Sequence, residues 1–139
     1  SLFRVARDRG IPLPKPADTD LRVLENPDEL TLIRKLSAYP SVVQASAMNL
    51  EPHRLTFYLQ ELAGLLHTFY FKHRILPPAV DLDISDAGRF VKDAEAAPAR
   101  PREPVTQELT GARLVLMREV QTVVRNGLSI LGISAPERM

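Results

Sequence analysis

The residues best suited to chemistry lie close together. His67, Tyr70 and Arg74 follow one another at steps of three and four, the spacing that places side chains on one face of an α-helix. An imidazole, a phenol ring and a guanidinium can stack on unpaired bases and hold phosphates. Lys72, Phe69 and Phe71 extend the same basic and aromatic mixture. Two readings fit this spacing: boundary residues whose ring bodies pack while their polar tips stay wet, or a recognition surface for RNA. Catalysis fits poorly, because His67 has no serine or acid at a helix-compatible step, and Glu61 stands almost two turns away. The chain has no cysteine, which excludes disulfides, thiolate metal sites and thiol nucleophiles together. No histidine or carboxylate spacing suggests a metal site.

Further candidates lie downstream. Arg113, Arg118 and Arg125 are spread along a second apolar-periodic segment, where each reads as a solvated arginine or a member of an intrahelical pair. Asn126-Gly127 would mark a hairpin between strands, but its flanks are helical. A glycine in mid-helix costs about 1 kcal/mol relative to alanine. Its presence at 127 points to close approach of another helix or of a ligand.

These residues need a scaffold, and composition limits the choice. A chain of 139 residues with 45% apolar content can bury one core. The net charge of +1 is far from the basic excess of proteins that coat nucleic acid without sequence preference. RNA binding here therefore needs a local patch and specific base contacts. No apolar run approaches the roughly 20 residues of a membrane span, and the start, Ser1 to Arg7, is not a signal peptide.

The pattern is all-α: a bundle of four or five helices with no strand signal. Residues 1–10 read as the end of a helix cut from something longer, with Leu2, Val5 and Ala6 on one face and Gly10 as its stop. Pro12, Pro14 and Pro16 make 11–25 a linker or extended strap. Asn26-Pro27-Asp28-Glu29 predicts a helix start with a capping box, and Leu30, Ile33 and Leu36 point inward. Pro40 breaks or kinks this helix, and a short one continues to Leu50 with Val42, Val43, Ala45 and Ala47. From Pro52 to about Leu76 the stripe Leu55, Leu59, Leu62, Leu66, Phe69 predicts the longest helix, ended by Pro77-Pro78. Residues 78–104 are acidic and proline-rich and read as a long mobile insertion. Thr106 caps a last helix to about Leu131, with Leu109, Leu116, Val120, Val123, Val124, Leu128 and Leu131 inward and Gly132 ending it.

The tail, Val124-Arg125-Asn126-Gly127-Leu128 through Leu131-Gly132-Ile133 to Ala135-Pro136-Glu137-Arg138-Met139, closely resembles the C-terminus of arginyl-tRNA synthetases. Ala38-Tyr39-Pro40-Ser41-Val42-Val43 is similar to that family's helix break, and Glu51 to Leu55, Tyr58 to Ala63 and His67 to Tyr70 to its central helix. Ala112-Arg113-Leu114 matches the start of its last helix. The likeness covers nearly the whole chain except the insertion.

That resemblance implies the C-terminal, DALR-type anticodon-binding domain of a class I synthetase. The parent enzyme would join arginine to its tRNA at the expense of ATP, with Mg2+, in a catalytic domain whose His-Ile-Gly-His-like and Lys-Met-Ser-Lys-like motifs are absent here. No cofactor is implied for this segment, which would be inactive alone. Its partners would be the arginine-tRNA anticodon stem-loop and the catalytic domain of the same chain, in a monomer in the cytoplasm, away from membranes. Residue by residue, the resemblance places the anticodon near His67, Tyr70, Arg74 and Met139, with Arg113 and Asn126 as secondary candidates. Tyr70 would stack on a splayed base, Arg74 would hold a phosphate or base edge, and Met139 would lay its thioether on a base. His67 stands where some members have an aromatic residue. The acidic insertion would point away from the RNA backbone. Two other readings compete: the similar bundle of a synthetase for another amino acid such as cysteine or methionine, and a helical module that binds a partner protein.

Overall fold

Asn26 opens the first long helix by the device its sequence announces. Its side chain accepts from the Asp28 amide at 2.9 Å while the Glu29 carboxylate accepts from the Asn26 amide at 3.1 Å, a complete capping box. In the computed structural model, which describes residues 2–77 and 105–133, five α-helices and no strand occur among the described residues. They are α1 (Leu2–Asp8), α2 (Pro27–Ser37), α3 (Tyr39–Met48), α4 (His53–Lys72) and α5 (Gln107–Ile130). The protein is an all-α bundle. The insertion at 78–104 and the closing 134–139, with Met139, lie outside the described residues.

Several helix boundaries have a local cause, and one does not. Ser37 ends α2, and Pro40 then sits in the first turn of α3, where its missing amide hydrogen costs nothing. Thr106 accepts from the Leu109 amide at 3.1 Å and starts α5. At the other end Gly132 takes a φ of +75°, and the Ile133 amide reaches back to the Leu128 carbonyl at 2.9 Å. That is the left-handed closure for which glycine is suited. The exception is α4. Its predicted end was Leu76, yet it stops at Lys72, and His73 is extended with φ −119° and ψ 142°.

Packing follows the predicted stripes with several changes of register. Leu55, Leu59, Leu62 and Phe69 of α4 are buried as expected and Leu66 is half-buried, but Tyr58 joins them. On α2 the fully buried positions are Glu29 and Leu32, while Leu30, Ile33 and Leu36 are only half-buried. On α3 Ser46 is buried and Ala47 exposed; on α1 Val5 is exposed, with Leu2, Phe3 and Ala6 turned to the core. In α5 the run Ala112 to Met117 is buried on every side, so its first half is the central pillar of the bundle. A one-stripe reading missed Leu114, Val115 and Met117, because several elements surround this half. Leu24, buried in the segment before α2, packs into the same core, and the short 3-10 turn Leu21–Val23 lies against α5.

Gly127 resolves the question its position raised. A β-carbon there would stand 2.9 Å from Cδ2 and 3.3 Å from Cγ of Leu59. The close neighbour is therefore a helix, α4, and no ligand is required. Gly127→Ala trades about 1 kcal/mol of helix propensity against displacement of Leu59 and should leave stability within about 1 kcal/mol of the parent. Gly127→Val adds branches toward Leu59 Cγ and should lose about 1–3 kcal/mol in urea unfolding. Equal stability of the valine variant would mean that the two helices are not in contact at this point.

Candidate nucleic-acid interface

The antiparallel arrangement of α4 and α5 sets which candidate residues can meet. Gly127 lies against Leu59, whereas Arg113 reaches the chain just beyond α4, so α5 descends as α4 rises. His67 and Tyr70 share the C-terminal half of α4, with His67 exposed and Tyr70 half-buried against the core. Asn126 stands near the level of Leu59, roughly 15 Å along the axis from Tyr70. It is exposed and accepts a hydrogen bond from the Tyr39 hydroxyl at 2.5 Å. Asn126 therefore belongs to the opposite half of the bundle from His67 and Tyr70.

Arg74 departs from the predicted arrangement. With α4 ending at Lys72, Arg74 lies beyond the helix, half-buried, and does not continue the helical face of His67 and Tyr70. The contacts at this point are tertiary. His73 Nε2 donates to Asp28 Oδ2 at 2.8 Å, the His73 ring lies 4.9 Å from Phe69, and the Arg74 carbonyl accepts from Arg113 Nη1 at 2.6 Å. Two neighbouring helices thus take up the side chain of residue 73 and the carbonyl of residue 74.

Arg113 requires a correction. Neither solvated nor paired within its helix, it is 1% exposed. Its Nε donates to Glu29 Oε1 at 2.6 Å, and its guanidinium lies 5.7 Å from the Phe69 ring centre. Glu29 thereby serves the capping box with one oxygen and Arg113 with the other. A guanidinium so enclosed does not face RNA in this conformation. Its partners lie 84 and 39 residues away, beyond the reach of spacing arguments.

One residue gains importance. Phe71 is 59% exposed, four positions after His67 and so on the same face of α4. Glycine at 64, one turn before His67, has no atom within 4 Å of a β-carbon built there. The face running through Gly64, His67 and Phe71, with Lys72 at its edge, is an open surface that flat rings can approach. Its signal in the sequence was the step of four from His67, overshadowed by Tyr70.

A second surface competes. A groove of about 400 Å³ between α3 and α4 has Phe57, Tyr58 and Val42 on its walls and Lys35, Arg54 and Glu61 around it. Lys35 is paired with Glu61, and Arg54 with Glu51. With each cation matched, the groove offers phosphate little net attraction. Tyr58 also donates to the Lys35 carbonyl at 2.6 Å, and burial pushes its hydroxyl up to about 12, so it stays protonated at all ordinary pH. The α4 C-terminal face is the better candidate for RNA.

Asp28 gives this region a pH signature. The hydrogen bond from His73, assisted by the nearby Lys72 ammonium, holds the Asp28 carboxyl below its ordinary 3.8. A depressed folded value means the stabilisation is complete above about pH 4 and is lost as pH falls through the lower folded value. Asp28→Asn should flatten stability against pH in that acid window. An unchanged acid limb in melting curves would show that Asp28 is unpaired in solution.

Among the described residues no group of three or more histidines and carboxylates could hold a metal ion, and no helix is long and apolar enough to cross a membrane. The chain matches the family described as DALR anticodon binding domain over residues 1–85 and 102–139. Along all 139 residues it is 39% identical to the arginine–tRNA ligase of Geobacter metallireducens and 42% identical to that of Citrifermentans bemidjiense, covering 20% of each relative. The arginine–tRNA ligase of Frankia alni is 40% identical, again along the whole chain, which covers 21% of it. The chain thus spans about one fifth of the length of these relatives. No solved structure matches it at a comparable level. With an all-α bundle and a family match on both sides of residues 86–101, the chain belongs to the DALR anticodon-binding domain family.

Proposed function

We propose that this chain is the anticodon-binding part of an arginyl-tRNA synthetase and grips the anticodon stem-loop of arginine tRNA. The observation that carries the reading is identity near 40%, along the full 139 residues, to enzymes named arginine–tRNA ligase. The physical features agree with it. An open face with His67, Phe71 and half-buried Tyr70 supplies rings for unpaired bases, and Lys72 and Arg74 bring positive charge beside them. Near-neutral net charge suits a domain that selects bases over one that coats phosphate. Met139 joins the proposed site at the end of the chain, while Arg113 acts from the core and Asn126 at the far half.

Amino-acid activation, with ATP and Mg2+, belongs on this reading to a catalytic domain elsewhere in the same protein, acting as a monomer in the cytoplasm. Contacts of that domain with the rest of the tRNA raise the effective concentration of the anticodon, so the present chain alone binds weakly. The test is an NMR titration with an arginine-tRNA anticodon stem-loop and with a copy whose central cytosine is guanine. Shifts at His67, Tyr70, Phe71, Arg74 and Met139 with the first RNA alone are expected. Shifts with both place base selection elsewhere, and no shift at millimolar RNA favours a helical module that binds protein.

A further inference from the structure

The region where α2, α4 and α5 meet contains more charge than packing alone requires. Asp28 and Glu29 of α2, Lys72 at the end of α4, His73 just beyond it and Arg113 of α5 converge there and are joined by hydrogen bonds and ion pairs: Asp28 with Lys72 and His73, and Glu29 with Arg113. Two of its bonds fall on residues 73 and 74, one on a side chain and one on a backbone carbonyl. Asp28 accepts from the His73 ring at 2.8 Å, and Arg113 Nη1 takes the Arg74 carbonyl at 2.6 Å. Both act at the point where α4 leaves its helical path, although its sequence pattern runs on to Leu76 and only Pro77 forbids helix beyond. The remaining anchor of this stretch is apolar: Ile75 is buried.

The geometry points to Arg113 and Asp28 as positioning residues that hold 73–76 out of helix α4 and thereby aim Arg74 at the RNA. This rests on the RNA-binding reading above. In helical continuation Arg74 would lie on the face of His67 and Tyr70, seven and four residues on. In the clamped form its carbonyl is turned to α5 and its side chain leaves from non-helical chain, which fixes a different approach direction. A long guanidinium side chain on a held backbone also loses less freedom when it binds. Ordering such a side chain is worth about two- to twelvefold in affinity. Arg113 is the firmer half of the clamp because it is itself held by Glu29 from below.

The test uses Asp28→Asn and Arg113→Lys in the 139-residue chain, alone and combined with Arg74→Ala. Lysine keeps the charge opposite Glu29 but cannot donate to Glu29 and to the Arg74 carbonyl with a planar fork, and Asp28→Asn leaves the core pair untouched. Backbone carbon shifts of residues 73–76 report the local conformation without any RNA. Movement toward helical values in either variant is expected, whereas values unchanged from the parent in both would show that Ile75 alone holds the segment and would overturn the clamp. With the arginine-tRNA stem-loop, Asp28→Asn should lose about two- to twelvefold in affinity, and that loss should vanish in the Arg74→Ala background. A loss of the same size in both backgrounds would make Asp28 merely structural and would refute the positioning role. Absence of binding by the parent chain would count against the RNA reading, while the carbon shifts still decide the clamp.

Discussion

Replacing Arg113 by methionine should lower the unfolding free energy by about 3–5 kcal/mol, the usual cost of leaving a buried charge without its partner. The stranded group is the Glu29 carboxylate, 1% exposed, whose one oxygen now accepts from Arg113 at 2.6 Å. The Arg74 carbonyl loses its donor at the same time. For a domain of this size the loss corresponds to a fall in Tm of roughly 10–20 °C. Glu29→Met should cost a similar amount, because it strands Arg113 and opens the capping box of α2. The pair of changes together should cost less than either alone, since two methionines of similar volume restore an apolar contact. Urea unfolding of the three variants and the parent gives the coupling directly. Simple addition of the two single losses would mean that Glu29 and Arg113 do not act on one another.

Phe71→Ala should weaken binding of the arginine-tRNA stem-loop by about 5- to 150-fold while leaving the melting temperature nearly unchanged. Loss of one ring–base stack is worth about 1–3 kcal/mol, and a side chain 59% exposed contributes little to the core. Tyr70→Ala should also weaken binding, but the ring is half-buried against the core cluster, so stability falls with it. Tyr70 alone is therefore a poor probe of the site. Arg74→Ala separates the two effects in another way: its backbone carbonyl still meets Arg113, so the fold persists and only the side-chain contact is removed. These affinities must be compared at one salt concentration, because the phosphate contribution falls steeply with ionic strength. If the alanine variants of Phe71 and Arg74 both bind as the parent does, the RNA face is elsewhere on the bundle, and the α3–α4 groove beside Phe57 becomes the next surface to probe.

The two ends of the chain's helices show why some of this was legible and some was not. The start of α2 and the close of α5 are set within a few residues, by Asn26 with Glu29 and by Gly132 with Leu128 and Ile133. Such devices are written in consecutive residues, and spacing alone finds them. Where α4 ends, residues 73 and 74 bond to partners 45 and 39 residues away, and periodicity carried the helix four residues too far. The same error placed Arg74 on the face of His67 and Tyr70. Arg113 failed for a related reason. An arginine in an apolar helix reads as a solvated side chain until a buried acid is found opposite it, and Glu29 is 84 residues away.

The helical class, the helix starts, the aromatic and basic stretch at 67–74 and the family resemblance were determined by the sequence by itself, because each rests on local propensity or on an ordered string of residues. Tertiary structure decided that Gly127 serves helix contact, that Asn126 stands apart from the α4 face, and that Phe71 is an exposed ring. It also decided that Arg113 is buried and that the chain leaves the helix after Lys72, with His73 extended. Each of those outcomes depends on which helix lies opposite, and a side chain's burial and partners are properties of the space between elements, which no single segment encodes.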